Sequence, residues 1–146
     1  MEFDFLVPID NEIIDYKNHL SSQHIGGVMA LHTDDAFPDL SEVKIALVGV
    51  LENRGDEGVA TVVDLTSVRK SLYGLFMGNW KMGIADLGDI LAGNSTMDTY
   101  FAVKKVVASL IKKGIVPIVI GGSQDLTYAL YRAYDVLEQM VNLVAI

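Results

Sequence analysis

The feature that most limits the fold of this chain is an alternation of apolar runs and helix-period segments from residue 43 onward. Val43 to Val50 is a nearly continuous run of apolar, mostly branched residues, which predicts a strand covered on both faces of a parallel sheet. A polar loop with several glycines follows at Leu51 to Gly58. Beyond it, Val68 and Leu72 indicate a helix.

The second half of the chain repeats this alternation. The clearest helix is predicted at Thr96 to Lys113, because apolar residues recur there at spacings that gather on one broad face. A strand at Ile115 to Ile120, a helix at Leu126 to Leu137 and a strand-like run at Val141 to Ile146 come next. Such alternation is typical of crossovers on a parallel sheet. We therefore predict a three-layer α/β/α fold with a mainly parallel sheet.

The first 40 residues show no such pattern. They mix acidic, aromatic and turn-forming residues without a sustained period, which predicts an irregular or peripheral arm. We divide the chain into an arm at 1–42 and an α/β domain at 43–146. The strand predicted at Asn142 to Ile146 either lies at a sheet edge or needs further chain to cover it. Because an uncovered edge exposes apolar surface, we expect self-association.

Charge and composition argue against several classes of partner. The 11 Lys+Arg and 19 Asp+Glu residues give a net charge of −8, which opposes binding to nucleic acid and to anionic membranes. No apolar run approaches the roughly 20 residues that span a bilayer. Cysteine is absent, so disulfides and thiolate metal sites are excluded, and a cytoplasmic location is the plain interpretation.

The most favourable position for a site is Gly121 to Asp125, since ligands collect beyond the carboxyl ends of parallel strands. One interpretation is a glycine turn in which Ser123 or Asp125 caps the following helix. A phosphate site is the functional alternative, although the segment lacks both the Gly-x-Gly-x-x-Gly spacing and a Gly-Lys-Ser/Thr ending. A small-molecule or nucleotide-binding α/β module stays open, because parallel sheets serve many functions.

Five segments in order resemble the ureohydrolases, the family of arginase, agmatinase and formimidoylglutamase. Ile118 to Thr127 is similar to the segment in which an apolar strand runs into Gly-Gly-Asp-His-Ser and a helix. The other segments are similar to the family's first strand, its Ala-Ile-Arg helix, its Asp-Leu-Gly-Asp segment and the strand before its Asp-Ala-His-x-Asp motif: Ile45–Val50, Ser67–Leu72, Ile84–Ile90 and Val141–Ile146. The resemblance implies the N-terminal portion of an arginase-like fold, incomplete relative to the family.

The resemblance also implies a metal centre, but the residues at the position of its first ligand differ from those of the family. Family members hold two manganese ions through His and Asp ligands, and a bridging hydroxide attacks a guanidinium or formimino carbon. The family's first His ligand falls on Gln124, its preceding Asp on Ser123 and its Ser on Asp125. Gln offers only a neutral amide oxygen, whereas such a site needs imidazole and carboxylate donors. We therefore expect no catalytic residue and no cofactor, with Gln124 and Asp125 marking only the position of the family's metal site.

Other polar residues are weaker candidates. Asn53, Arg54 and Asp56 lie in the loop that borders the active site in the family, so we predict a substrate-binding role for them against the simpler alternative of solvated loop residues. Asp86 and Asp89 are expected to serve in turns and capping.

The remaining histidines and aromatic residues suggest structural roles. His19, His24 and His32 are five and eight residues apart, so no two share the i, i+4 spacing of a helical metal site, and structural roles are favoured over an unrelated metal site with nearby aspartates. Trp80, Met82 and the group at Tyr73–Phe76 are predicted to be packing residues.

These observations favour a non-catalytic, ureohydrolase-like domain, a pseudoenzyme that serves assembly or small-molecule binding. The alternative is the N-terminal fragment of a manganese-dependent arginase-, agmatinase- or formimidoylglutamase-type enzyme that hydrolyses a C–N bond. In that case the remaining ligands would lie after Ile146, and the partner would be the missing C-terminal part.

Overall fold

The computed structural model describes residues 2–55, 63–138, 140–142 and 144. Within these ranges the chain forms five strands and five helices around one sheet. In chain order they are β1 (Leu6–Val7), α1 (Asn11–Asn18), α2 (Ile25–Val28), β2 (Ala30–Leu31), β3 (Val43–Leu51), α3 (Thr66–Tyr73), β4 (Gly83–Leu91), α4 (Thr96–Lys112), β5 (Val116–Ile120) and α5 (Leu126–Val136). None of the helices in this described part is long and apolar enough to cross a bilayer.

The sheet is mainly parallel, as predicted. β3 lies in its centre and pairs in parallel with β4 on one side and β5 on the other. The far edge of β4 pairs with β2 in parallel and with β1 in antiparallel orientation. The carboxyl ends of the three long strands therefore meet at one edge of the sheet, where parallel sheets collect ligands.

Side chains of β3 alternate between two cores. Ala46, Val48 and Val50 pack with α4 and α5 on one face, while Leu47 packs on the other with residues of α1 and α3, including Ile13 and Tyr73. Alternate strand residues point to opposite faces, so a run that is apolar at every position needs cover on both. The predicted three-layer α/β/α arrangement is confirmed.

The first 40 residues are more regular than their sequence predicts, which corrects the expectation of an irregular arm. They form two helices and two short strands, and four of their apolar residues are buried: Leu6, Ile9, Ile13 and Met29. Strands of two residues and helices of four and eight residues are too short to show a period, so the pattern was not visible. The division at residue 42 stays a prediction.

The final strand predicted at Val141–Ile146 is not formed by the residues that are described there. Val141, Asn142 and Val144 belong to no strand, and residues 143, 145 and 146 lie outside the described part. β5 has the outer place in the sheet instead, with the side chains of Val116 and Ile118 exposed. A strand forms only where a neighbour pairs its backbone, and none is described beside these residues.

The aromatic group expected in the core divides into buried and exposed members. Tyr73 is fully buried, but Leu75, Phe76, Trp80 and Met82 are all exposed. The prediction that they are packing residues is therefore wrong for these four. They follow the end of α3 and lead into the start of β4, where no layer covers them.

Candidate active site

Three loops meet at the carboxyl edge of the sheet. The backbone N–H of Ser123, after β5, donates to the carbonyl of Glu52, after β3, over 2.8 Å. Gly121 and Gly122 have φ values of +85° and +79°, a left-handed conformation that suits glycine. A Cβ at Gly122 would also lie 2.8 Å from the Glu52 carbonyl oxygen. The two glycines therefore let the β5 loop turn closely against the β3 loop.

Glu52 is the centre of this edge and is fully buried. Its Oε1 accepts from the Arg54 backbone N–H and from Arg54 Nε, over 2.9 and 2.8 Å. Its Oε2 accepts from Arg54 Nη2 and from Thr99 Oγ1, over 2.5 and 2.8 Å. The hydrogen bonds from Arg54 are the largest cause that holds the pKa of Glu52 down at about 2, against the opposing effect of burial. Glu52 is thus a fixed anion.

Arg54 connects this anion to the loop after β4. Its Nη2 donates to the carbonyl of Gly93 over 2.8 Å, and its Nη1 donates to that of Asn94 over 3.1 Å. The hydrogen bond to Glu52 raises the pKa of the guanidinium further. These bonds engage four of the five N–H donors of Arg54, so at most one, on Nη1, can serve a ligand.

The predicted substrate-binding residues have different outcomes. Arg54 lies at the carboxyl edge with its side chain 37% exposed, and Asn53 precedes it in the same loop. Asp56 lies outside the described residues. The structure assigns Arg54 a role in holding two loops together, which the sequence did not suggest. The substrate-binding role of the three residues stays a prediction.

Gln124 and Asp125 lie directly before α5, in the loop that follows β5. Gln124 is exposed, whereas one carboxylate oxygen of Asp125 accepts a hydrogen bond from the Tyr100 hydroxyl of α4. Asp125 makes no side-chain capping bond to α5, and Ser123 Oγ instead faces the Glu52 carbonyl at 3.5 Å. Asp125 does stand at the N-cap position of α5, as predicted, but its side chain bonds to Tyr100 of α4 and not to the helix backbone. The Ser123 hydroxyl bonds to the β3 loop.

The donors at this position do not fit a dinuclear manganese centre. Gln124 supplies a neutral amide, and the one carboxylate, on Asp125, binds Tyr100 through one oxygen while its other oxygen is buried without a hydrogen-bond partner. One amide and one carboxylate do not supply the imidazole and carboxylate donors that two manganese ions need. Across the residues that the structure describes, no group of three or more His, Cys, Asp and Glu residues is arranged to hold a metal ion.

The three histidines have structural hydrogen bonds, as predicted. In each case Nδ1 contacts a nearby oxygen: that of the Asp15 carbonyl for His19 at 2.7 Å, the Ser21 hydroxyl for His24 at 3.0 Å and the Leu87 carbonyl for His32 at 3.0 Å. His32 in this way fastens the arm to β4.

A second buried charge network lies behind the carboxyl edge, and the sequence interpretation missed it. Asp86 of β4 is fully buried; it accepts from Arg69 Nε at 2.8 Å and Nη2 at 3.1 Å, and from the Tyr73 hydroxyl at 2.8 Å. Asp89 lies 2.8 Å from Arg69 Nη2. Asp86 also accepts from the backbone N–H of Gly88 over 3.1 Å, the local contact expected of a turn residue. Its ion pair with Arg69, and that of Asp89, were not expected, and they hold α3 against β4.

The electrostatics of this network follow from its burial. Burial alone lowers the pKa of Arg69, but its hydrogen bonds and its attraction to Asp86 and Asp89 raise it overall. Burial and the negative charge of Asp86 raise the pKa of the Tyr73 hydroxyl. The signal in the sequence was a charged residue inside an apolar stretch, because buried charges in proteins are normally paired.

No protein-family model matches the sequence, and no curated protein matches it either. Among solved structures, the chain is similar to the crystal structure of agmatine ureohydrolase of Thermoplasma volcanium, with a TM-score of 0.54 and 21% sequence identity. The match covers 82% of this chain and 41% of that one, so this chain spans well under half of its neighbour. The chain has an arginase-like α/β fold.

Proposed function

We propose that this chain is a non-catalytic, ureohydrolase-like domain that keeps the fold and has lost the manganese centre. One observation supports this most directly: Gln124 stands where the family resemblance places a His ligand, and Asp125 is the one carboxylate beside it. A neutral amide cannot replace an imidazole and a second carboxylate in offsetting the charge of two manganese ions. Assembly or small-molecule binding is then the remaining role.

We place small-molecule binding at the β3 loop. At most one N–H donor of Arg54, on Nη1, is left for a ligand, and its side chain is partly exposed; Asn53 adjoins it. A carboxylate-bearing molecule suits this donor, whereas a cationic guanidino compound would be repelled by it. We include Asp56 in this binding loop as a proposal from the sequence alone.

The alternative is the N-terminal portion of a manganese-dependent hydrolase that acts on a guanidino or formimino C–N bond. The length comparison favours it, because the neighbouring agmatine ureohydrolase is more than twice as long as the matched part. Further metal ligands would then come from outside these 146 residues. An Asp-Ala-His-x-Asp sequence encoded directly after Ile146 would support this alternative.

Hydrolysis assays with added manganese test the proposal. The chain is incubated with agmatine, with arginine and with a formimino amino acid, and release of urea or formamide is measured against a protein-free blank. We expect no product above the blank. Manganese-dependent turnover by the unaltered chain that is lost in Asp125→Asn would overturn the proposal, provided that circular dichroism shows the variant folded.

A further inference from the structure

The end of the sheet opposite the candidate site carries an exposed aromatic surface, which we call the aromatic patch. It consists of Phe76, Trp80 and Met82, which are 71%, 65% and 37% exposed. The exposed charged residues Glu42, Lys44 and Lys81, which we call its rim, line the same groove. These residues line an open groove of about 720 Å³. Aromatic residues and methionine are enriched at protein–protein interfaces, and charged residues are found at their edges.

The segment that presents the patch is held in place by the arm. The backbone N–H of Met77 donates to the Gln23 carbonyl over 2.8 Å, and that of Ile25 donates to the Leu75 carbonyl over 2.8 Å. The ring of Phe76 stacks on His24 with 4.7 Å between centroids. Because these contacts fix the segment before any partner arrives, association loses little further chain entropy.

We propose that the aromatic patch is the contact surface of a two-fold symmetric dimer of this chain. The inference goes beyond the proposed function, because the patch shares no residue with the loops at the carboxyl edge. The patch lies beside the amino ends of β3 and β4, where Glu42, Lys44 and Gly83 line the groove. A dimer through it therefore leaves the candidate site open in both copies.

The charges at the rim favour a second copy as the occupant. In a two-fold interface the same surface serves both partners, so a patch that carries both signs can pair with itself. Glu42 of one copy can face Lys44 or Lys81 of the other. The whole chain carries a net charge of −8, but the rim has two lysines against one glutamate, so the excess negative charge of the chain does not lie at this surface.

The size of the patch sets the expected affinity. An aromatic side chain contributes about 150–250 Å² when buried, so the exposed parts of Phe76, Trp80 and Met82 amount to a few hundred Å². A standard interface buries about 800 Å² on each partner. We therefore expect a weak dimer.

Sedimentation velocity and tryptophan fluorescence test the dimer together. Trp80 is the only tryptophan of the chain, so its emission reports the patch directly. We expect a monomer–dimer equilibrium and a blue shift of the emission, both with the same midpoint concentration. Phe76→Asp should remove both changes, whereas Met97→Asp, at a residue 62% exposed in the first turn of α4, should keep both.

Charge variants test the two-fold arrangement. Glu42→Lys should weaken the dimer roughly tenfold, and addition of Lys81→Glu should restore most of the loss. A chain that stays monomeric up to roughly 100 µM would overturn the proposal. So would a dimer that survives Phe76→Asp and is removed by Ile118→Asp, since that result places the contact along the β5 edge.

Discussion

Glu52 and Asp86 are both fully buried carboxylates that are bound to arginine, yet they lie in different surroundings. Asp86 is enclosed between β4 and α3, and its partner Arg69 is almost completely buried with it. Glu52 lies at the carboxyl edge, and its partner Arg54 keeps more than a third of its side chain in solvent. The Asp86–Arg69 ion pair thus lies in the interior, whereas the Glu52–Arg54 ion pair lies at the carboxyl edge of the sheet, next to solvent.

The two ion pairs therefore stabilise different parts of the molecule. The Arg69–Asp86 pair stabilises the fold, and the Glu52–Arg54 pair stabilises the candidate site. Arg69 and Asp86 join a single helix, α3, to a single strand, β4. Glu52 and Arg54 instead connect the loops after β3, β4 and β5 with the first turn of α4, because they contact Gly93, Ser123 and Thr99 from regions far apart in the sequence. Water cannot replace a partner that is lost from the interior ion pair, whereas it can do so for the ion pair at the carboxyl edge.

The largest expected effect is that of Asp86→Asn. The change leaves Arg69 buried without its main counter-charge, so we expect the free energy of unfolding to fall by about 3–5 kcal/mol. Urea denaturation measures it. Asp135→Asn, at an exposed ion pair of α5, serves as the control and should change stability by no more than about 0.5 kcal/mol.

Glu52→Gln should have a smaller effect, a loss of about 2–3 kcal/mol. The glutamine keeps the size of the side chain and can still accept from Thr99, while Arg54 can turn to water. The same denaturation experiment compares the two variants. A larger loss of stability for Glu52→Gln than for Asp86→Asn would show that the Glu52–Arg54 pair contributes more to stability than the Asp86–Arg69 pair, contrary to our expectation.

Low pH should weaken the contacts at the carboxyl edge, because it protonates Glu52. The folded pKa of Glu52 is about 2, below its ordinary value of 4.5, so the unfolded state binds its proton first as pH falls. The stability contribution is complete above about pH 4.5 and is lost as pH falls towards 2. Urea midpoints should therefore decline less across this interval in Glu52→Gln than in the unaltered chain. Parallel declines would contradict this assignment.

The smallest expected effect concerns the helix that carries Thr99 and Tyr100 to the carboxyl edge. Ser95 and Asp98 form a reciprocal capping box at the start of α4. Ser95→Ala removes one half of it and should cost about 1 kcal/mol in thermal or urea unfolding. Thr127→Ala, at an exposed position in α5, is the matched control, and an equal loss in both would argue against a specific cap.

The long elements were predictable because their residues repeat over enough positions to show a period. β3, β5, α4 and α5 were placed within one residue at each end. β4 was not predicted from its residues, since Asp86 and Gly88 interrupt its apolar pattern. The short elements of the arm offered no period to find.

The site was less predictable than the fold because its contacts join distant parts of the chain. Glu52 follows a strand and resembles an ordinary charged loop residue, but its partner Thr99 lies 47 positions away. Tyr100 and Asp125 are likewise 25 positions apart. Without the packing of α4 on the sheet, nothing in the sequence brings these side chains together.

Calorimetric titration with manganese tests the loss of the metal centre most directly. The folded chain is titrated with Mn²⁺ at neutral pH, and a Gln124→His/Ser123→Asp variant, which restores the family's first donors, is titrated beside it. We predict no saturable heat for the unaltered chain. Saturable binding of one or two ions per unaltered chain would contradict the claim that its carboxyl edge is held together by Glu52 and Arg54 without a metal.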